Sequence, residues 1–227
     1  PPIPCDEELQ SHYTVDGWSH IRIDHEAKTV YIDDPEISLD AGGIAKGFAA
    51  EMTARKLEEN GLKTGAINAG GNVRLIGMKP DDSKWTIGIQ QPENILAYVG
   101  NFYLDQPFSL ATSGDYQRFY ISGGQMYSHI IDPSTGMPSD HFRCVTVLTH
   151  DAAIADILST ALFVMDYEQG CAWLDEYNQT HTDFAGAYWV FGEKPEGIEV
   201  IGKDGYYVTA SENIRSYIDV YGAAKGN

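Results

Sequence analysis

Alternating apolar and polar residues predict a β-hairpin near the start of the chain. Residues 21–24 (IRID) and 29–33 (TVYID) both alternate, and a polar turn separates them. Residues 1–17 are Pro-rich and then polar, and we interpret them as a lead-in segment.

Apolar residues at helical spacing predict three helices. In the first, apolar residues recur every four positions from Ile44 to Met52, and Gly61 is in the position of a C-terminal stop. In the second, the apolar stripe covers residues 152–165, and Asp151 precedes it as an N-cap. A third helix is predicted over about 167–178.

Strands account for most of the remaining pattern. They are predicted at 66–69, 85–90, 97–104, 107–112, 118–122, 125–131, 145–149 and 187–191. Gly123-Gly124 indicates a hairpin between two of them. Because strands and helices do not alternate regularly, the sequence predicts an α+β fold of mostly antiparallel sheet with packed helices. We expect one domain over residues 1–227.

The charge balance limits the classes of ligand. The 227 residues carry 15 Lys and Arg against 33 Asp and Glu, a net charge of −18. This acidity excludes a general electrostatic grip on nucleic acid or anionic lipid, which requires clustered cations. A nucleotide remains possible, and a bridging cation would help an acidic protein to bind its phosphates.

The cysteines and the chain ends add two expectations. Cys5, Cys144 and Cys171 are widely spaced and odd in number, which is typical neither of a disulfide framework nor of a zinc site. Cys144 is in an apolar run and is predicted to be a buried thiol. The sequence contains no run of about 18 apolar residues, so it predicts no membrane-spanning segment. Since the sequence begins at Pro1 without Met, we expect a piece of a longer protein.

A glycine turn before the first helix is a candidate phosphate site. Residues 40–47 (DAGGIAKG) place two glycines before a helix N-terminus, whose free N–H groups and dipole favour phosphate. Lys46 would add a positive charge. On spacing alone, a strand-to-helix turn with an exposed lysine explains the same residues, and the motif is not a Walker A loop.

Asp156 and Thr160 are a candidate cation site. They are four residues apart on the second predicted helix and therefore share one face. A carboxylate and a hydroxyl suit Mg²⁺, which takes oxygen ligands and keeps waters or substrate phosphates. The structural alternative is a Thr hydroxyl bonded to the helix backbone and an Asp held by a neighbouring loop.

Three further segments could line a pocket. His129 ends a strand before a turn over residues 132–136 and could act as a base, or be a packed structural histidine. Small residues precede Asp115 and Arg118, which could line a pocket or form a surface pair. Residues 68–72 (NAGGN) are a tight turn or a backbone that approaches a ligand.

Together these segments resemble a known family. The ordered motifs are DAGGIAKG (40–47), NAGGN (68–72), ATSGDYQRF (111–119), HIIDPSTG (129–136) and AIADILSTALF (153–163). In this set and order they resemble the ApbE family of flavin transferases, over residues 15–215. The resemblance implies an ApbE-like, T-fold-related architecture whose N-terminal portion is absent from this sequence.

The resemblance also implies a reaction and a cation. Family members split the pyrophosphate of FAD with Mg²⁺, transfer FMN to a Thr or Ser hydroxyl of an acceptor protein, and release AMP. By motif position, the cation ligands are the backbone carbonyl of Gly43 with Asp156 and Thr160, and the adjacent Ser159 is counted in the same metal site.

By the same matching, FAD contacts fall on Asp40, Lys46 and Ile130, and His129 is the base for the acceptor hydroxyl. The implied acceptors are flavoprotein subunits, for example of Rnf or sodium-pumping NADH:quinone oxidoreductase complexes. The implied location is the bacterial cell envelope, periplasmic or extracytoplasmic, with any lipid anchor outside this sequence.

Two other functions are compatible with the motifs. One is a Mg²⁺-dependent FAD pyrophosphatase, which gives FMN and AMP. The other is a non-catalytic flavin-binding or scavenging lipoprotein domain.

Overall fold

Seven antiparallel strands form the central sheet of the structure, a computed structural model that describes residues 3–11 and 16–226. In their order across the sheet, the strands are β12 (Ile201–Lys203), β13 (Tyr206–Ala210), β11 (Gly186–Phe191), β10 (Cys144–Thr149), β7 (Ser109–Gly114), β4 (Asn72–Ile76) and β3 (Gly65–Ala69). The ladders between them are antiparallel, which confirms the predicted α+β class with a mostly antiparallel sheet.

The sheet is covered on both faces. A long hairpin of β5 (Trp85–Gln91) and β6 (Asn94–Leu104) packs on one face, where Val99 and Phe102 join the core. Helices pack on the other face, where Leu158 and Leu162 meet Trp189. Because both faces are covered, every residue of β10 and β11 is buried, including Cys144, whose predicted burial is confirmed.

Of the four helices in the described residues, three follow the sequence pattern, and the short first helix lies within the predicted lead-in segment. They are α1 (Asp6–Ser11), α2 (Ala45–Glu59), α3 (Ala152–Val164) and α4 (Tyr167–Thr180). Asp151 caps α3 as predicted, because its side chain accepts hydrogen bonds from the backbone N–H groups of Ala153 and Ile154. Within the described ranges, no helix combines the length and the apolar character needed to cross a bilayer.

Two small hairpins lie outside the central sheet. One pairs β1 (Ile21–Asp24) with β2 (Thr29–Ile32), and the other pairs β8 (Phe119–Ser122) with β9 (Gln125–Ser128). β9 ends earlier than the predicted 125–131, because Ile130 and Ile131 bond to the chain after the next turn, at Ser139 and Pro138. Of the predicted lead-in segment, residues 1, 2 and 12–15 lie outside the described residues.

The structure also differs from the sequence pattern at α2 and at β4. Phe48 and Met52, which made α2 recognisable, are 53% and 48% exposed, because α2 packs on α3 through small residues such as Gly47. β4 was not predicted. Gly70 and Gly71 form a two-residue turn with φ values of 64° and 99°, which returns the chain as a second strand.

Candidate functional site

The five motif segments meet at one cavity. It has a volume of about 690 Å³ and lies where the N-terminus of α2 approaches β7 and α3. Its lining residues are Asp40, Gly42, Gly43, Ala45, Lys46, Gly70, Thr112, Ser113, Gly114, Gln117, Arg118, His129, Ile130, Ile131, Asp156, Thr160 and Val164. Each of the five segments contributes at least one of them.

Asp156 is the buried carboxylate of the cavity. Its side chain is nearly inaccessible to solvent, and its Oδ2 accepts a 2.8 Å hydrogen bond from the backbone N–H of Gly47. Its Oδ1 lies 4.0 Å from Nζ of Lys46. One carboxylate oxygen is thus fixed by the protein backbone, and the other faces a positive charge at the cavity.

Three hydroxyl groups form a hydrogen-bonded cluster one helical turn from Asp156. Ser113 Oγ is 3.0 Å from Thr160 Oγ1 and 2.9 Å from Ser159 Oγ. The hydroxyls of Ser159 and Thr160 also donate to the backbone carbonyl of Asp156, at 3.0 and 3.3 Å. The hydrogen bond from the Thr160 hydroxyl to the helix backbone, which was the structural alternative to a cation site, is therefore present. Thr160 nevertheless also lines the cavity. Ser159 is fully buried behind it.

The oxygen atoms at this place fit Mg²⁺ better than any softer metal. A Cβ added at Gly43 would lie 3.8 Å from Thr160 Oγ1, so the Gly43 backbone lies close to the hydroxyl. Among the described residues, no group of three or more His, Cys, Asp or Glu could hold a metal. A carboxylate and a hydroxyl suit a hard cation that shares its remaining positions with water and phosphate oxygens.

The N-terminus of α2 gives the cavity a positive side. Asp40 Oδ1 accepts a 2.6 Å hydrogen bond from the backbone N–H of Gly42, which fixes the turn before the helix. Lys46 and Arg118 line the same cavity. Two cations and a helix N-terminus together favour a phosphate-containing ligand.

His129 is exposed at the rim of the cavity and has a defined tautomer. Its backbone N–H and its Nδ1 both lie 3.1 Å from the carbonyl oxygen of Arg118. A carbonyl only accepts hydrogen bonds, so Nδ1 carries the proton and Nε2 of the neutral ring keeps a free lone pair. Ile130 follows directly, lines the cavity, and accepts a 3.0 Å hydrogen bond from the N–H of Ser139 at its carbonyl.

Asp115 lies behind the cavity rather than in it. It is buried and bonds to Arg143 at 2.8 Å, so the predicted surface pair with Arg118 is wrong. Burial raises the pKa of Asp115, although the Arg143 guanidinium acts in the opposite direction. The adjacent Gln117 and Arg118 do reach the cavity, because the chain turns outward after the end of β7.

Sequence reasoning missed Glu51, which joins α2 to α3. Its buried carboxylate accepts hydrogen bonds from the backbone N–H of Ala152 at 3.0 Å, from Arg74 at 2.9 Å and from Arg55 at 2.8 Å. Burial alone would raise the pKa of Glu51, but these three donors outweigh it and hold the pKa below its ordinary value. The available signal was a lone acidic residue four positions after Gly47, on the same helix face.

A second cavity adjoins the first across Thr160. Its volume is about 770 Å³, and it shares Gly43, Ile131, Thr160 and Val164 with the first cavity. The side chains that line it alone are Asp132, Pro133, Ser134, His141, Ile157, Ala161, Met165, Asp166 and Gln169. Since these include Asp132 and Asp166 but no Lys or Arg, this cavity suits a phosphate less well than the first cavity does.

Comparison with known proteins gives a consistent result. The model described as "ApbE family" matches residues 1–184. A FAD:protein FMN transferase from Vibrio cholerae is 37% identical over 178 residues, which cover 78% of this chain and 52% of that protein. One from Klebsiella pneumoniae is 32% identical over 172 residues, which cover 75% of this chain and 52% of that protein.

The solved structures agree. The ApbE protein from Thermotoga maritima superposes with a TM-score of 0.77 at 30% identity, over 95% of this chain and 64% of that protein. The chain therefore spans about half the length of the curated relatives it matches, and nearly all of it has the fold of this solved relative.

Proposed function

The chain belongs to the ApbE family, and we propose on that basis that it transfers FMN from FAD to a Thr or Ser hydroxyl of an acceptor protein, with release of AMP. The observation that carries the proposal is the meeting of all five motif segments around one cavity. The relatives named FAD:protein FMN transferases support a flavin transfer from FAD. The Thr or Ser hydroxyl of the acceptor, the Mg²⁺ ion and the AMP product are further parts of the proposal.

The two adjoining cavities support a dinucleotide as the substrate. Lys46, Arg118 and the N-terminus of α2 would bind the pyrophosphate. Asp40 and Ile130, which line the same cavity, would contact other parts of FAD. FAD extends in both directions from its pyrophosphate. A second cavity beyond Thr160, lined by two Asp residues and no Lys or Arg, offers room for one of the two nucleoside portions.

Asp156, Thr160 and the backbone carbonyl of Gly43 would hold Mg²⁺, and Ser113, which is hydrogen-bonded to both hydroxyls, would connect Thr160 to the buried Ser159. When bound, Mg²⁺ supplies charge neutralisation for the pyrophosphate and for the leaving AMP phosphate. The role of the protein is to keep the Asp156 carboxylate at a fixed place. The Gly47 hydrogen bond does this.

His129 would take the proton in the transfer step. The acceptor oxygen forms a bond to the FMN phosphorus, and the bond from that phosphorus to the bridging oxygen breaks, so that AMP leaves with the bridging oxygen. The hydroxyl proton passes to Nε2 of His129, the nitrogen that the Arg118 carbonyl leaves free. General-base help of this kind contributes about 10²–10⁴ in rate.

A specific observation also favours a second candidate, the FAD pyrophosphatase. The His129 ring is exposed, so water can reach the same nitrogen in the absence of an acceptor. In the remaining alternative, a flavin-scavenging domain, Asp156→Ala would leave FAD affinity intact and no turnover would be observed.

Mass spectrometry distinguishes these functions. We expect the full-length protein, FAD and Mg²⁺ to add the mass of FMN to a peptide with a Ser/Thr-Gly-Ala-Thr/Ser motif, and to acceptor subunits of Rnf or sodium-pumping NADH:quinone oxidoreductase complexes. No transfer to several such acceptors would overturn the proposal. Release of FMN and AMP without an acceptor, at a rate comparable to transfer, would favour the pyrophosphatase.

We also propose that the protein acts in the bacterial cell envelope, because the family resemblance implies an extracytoplasmic location. Fractionation of cells that produce the full-length protein tests this. Recovery only in the cytosolic fraction would contradict it.

A further inference from the structure

Three hydroxyls and one carbonyl oxygen form a closed ring at the wall of the first cavity. Ser113 Oγ lies 2.9 Å from Ser159 Oγ and 3.0 Å from Thr160 Oγ1. The carbonyl oxygen of Asp156 lies 3.0 Å from Ser159 Oγ and 3.3 Å from Thr160 Oγ1. Four contacts therefore join the four oxygen atoms, but the three hydroxyls bring only three protons to fill them.

The distances indicate which contact shares no proton of its own. A hydrogen bond between two oxygen atoms is about 2.5–3.0 Å long, so the 3.3 Å contact is the weakest of the four. Since a carbonyl only accepts, Ser159 donates to Asp156. Ser113 then donates to Ser159, and Thr160 donates to Ser113. The protons thus run in one direction, from Thr160 to the carbonyl oxygen of Asp156.

Thr160 is the end of this chain of hydroxyls that faces the ligand. It lines both cavities, whereas Ser159 is fully buried and lines neither. Because the proton of Thr160 is directed into the ring, the lone pairs of its oxygen are available at the cavity. An oxygen that only accepts can bind a cation, but it has no proton to donate to a phosphate.

We propose that Ser113 orients the Thr160 hydroxyl, so that the lone pairs of Thr160 Oγ1 face a divalent cation. The inference rests on the proposed function, in which Asp156 and Thr160 hold Mg²⁺. Without Ser113, the acceptor left in the ring for the Thr160 proton is the carbonyl oxygen of Asp156. A Thr hydroxyl that bonds only to its own helix backbone turns toward that backbone, away from the cavity. Ser159 serves as the acceptor for Ser113 and does not itself contact the cation.

The test measures cation binding rather than transfer. The variants are Ser113→Ala and Thr160→Val, alone and together, and Ser159→Ala as a second break in the chain of hydroxyls. The matched control is Ser109→Ala, because Ser109 is also a buried serine of β7, and its hydroxyl donates to the carbonyl of His150 at 2.9 Å.

Two affinities are measured in the full-length protein. The electron paramagnetic resonance signal of free Mn²⁺ gives the cation affinity at saturating FAD, and displacement by Mg²⁺ shows that both ions share the site, since oxygen ligands suit both. The affinity for FAD is measured separately in the absence of a cation.

We expect Ser113→Ala to weaken cation binding about tenfold, as is usual when a group that orients a metal ligand is removed. Ser159→Ala should give a smaller loss, because Ser113 can then donate to Thr160. FAD affinity without a cation should change less than about twofold in both variants, and Ser109→Ala should change neither affinity. If Ser113 acts through Thr160, its substitution should have no further effect in the Thr160→Val protein.

Unchanged cation affinity in the folded Ser113 and Ser159 variants overturns the inference, and so does a further tenfold loss in the double variant. A loss of FAD affinity without a cation also overturns it, since Ser113 would then contact FAD directly. No binding of Mn²⁺ by the unmodified protein contradicts the cation site of the proposed function, and the inference with it. Cation binding as expected, without FMN transfer to any acceptor, contradicts the proposed function alone.

Discussion

The backbone N–H of Gly47 donates a 2.8 Å hydrogen bond to Oδ2 of Asp156, although 109 positions separate the two residues in the chain. This bond connects the first turn of α2, where phosphate would bind, to the proposed cation ligand on α3. The distance between α2 and α3 therefore sets the position of Asp156 relative to the N-terminus of α2.

Replacing Gly47 by Ala tests that distance. The new Cβ would clash with the carbonyl oxygen of Ala152 and lie 2.6 Å from Cβ of Asp156, so α2 and α3 must separate. We expect a loss of about 2 kcal/mol in the free energy of unfolding, together with weaker Mg²⁺-dependent FAD binding. Urea denaturation and FAD titration measure the two effects. Gly202→Ala is the control, since no atom lies within 4 Å of its added Cβ. Equal stability of both variants would contradict close packing at Gly47.

Asp156→Asn tests the cation. The amide oxygen can still accept the Gly47 hydrogen bond, so the fold should survive, but the charge that Mg²⁺ needs is lost. We expect FAD with Mg²⁺ to raise the melting temperature of the unmodified protein and not that of the variant. Transfer should fall about 100-fold or more. Asp175→Asn, at an exposed position of α4, is the control. A Mg²⁺ response that persists in Asp156→Asn would show that this carboxylate holds no cation.

His129→Gln tests the base. Without Nε2 as proton acceptor, kcat for transfer should fall about 10²–10⁴-fold. FAD affinity should change less than about twofold, because the proposed phosphate contacts are elsewhere. His25→Gln, in the exposed turn between β1 and β2, should have no effect. Unchanged kcat in His129→Gln would leave this histidine without a role in proton transfer.

Glu51 gives the protein a sensitivity to acid. Its folded-state pKa lies below the ordinary value of 4.5, so its stabilising contribution is fully present above that value. The contribution is lost as the pH falls through the lower folded-state pKa. Glu51→Gln should cost about 3 kcal/mol at neutral pH, because Arg74 loses a buried partner. Urea denaturation should show the difference from the unmodified protein shrinking below about pH 4. A difference that does not depend on pH would argue against a charged Glu51.

Local signals in the sequence were sufficient for most of the fold. The N-cap Asp151, the period of α3 and the Gly123-Gly124 turn each follow from neighbouring residues. Which side of α2 is buried could not be predicted from such signals, because Phe48 and Met52 look like core residues in the sequence. The close approach at Gly47 depends on α3, which is distant in the chain, and it favours small side chains over large ones.

The candidate site, like the fold, could be predicted from the sequence only in part. The residue types at positions 40–47 and 156–160 suggested phosphate and cation chemistry, and the resemblance supplied their roles. The charge network of Glu51, Arg55 and Arg74 could not be anticipated, because it connects a helix, a strand and the start of another helix. In the sequence Ser113 is only one of several small residues, whereas in the structure its hydroxyl is hydrogen-bonded to that of Thr160.

The 4.0 Å contact between Lys46 Nζ and Asp156 Oδ1 has a consequence for ligand binding. In the ligand-free protein each of these charges is the counter-ion of the other, so a cation alone would meet the repulsion of Lys46, and a diphosphate alone that of Asp156. When both ligands bind together, each neutralises the charge that opposes the other. Positive cooperativity follows, and by thermodynamic linkage FAD must increase the affinity for Mg²⁺ by the same factor by which Mg²⁺ increases the affinity for FAD.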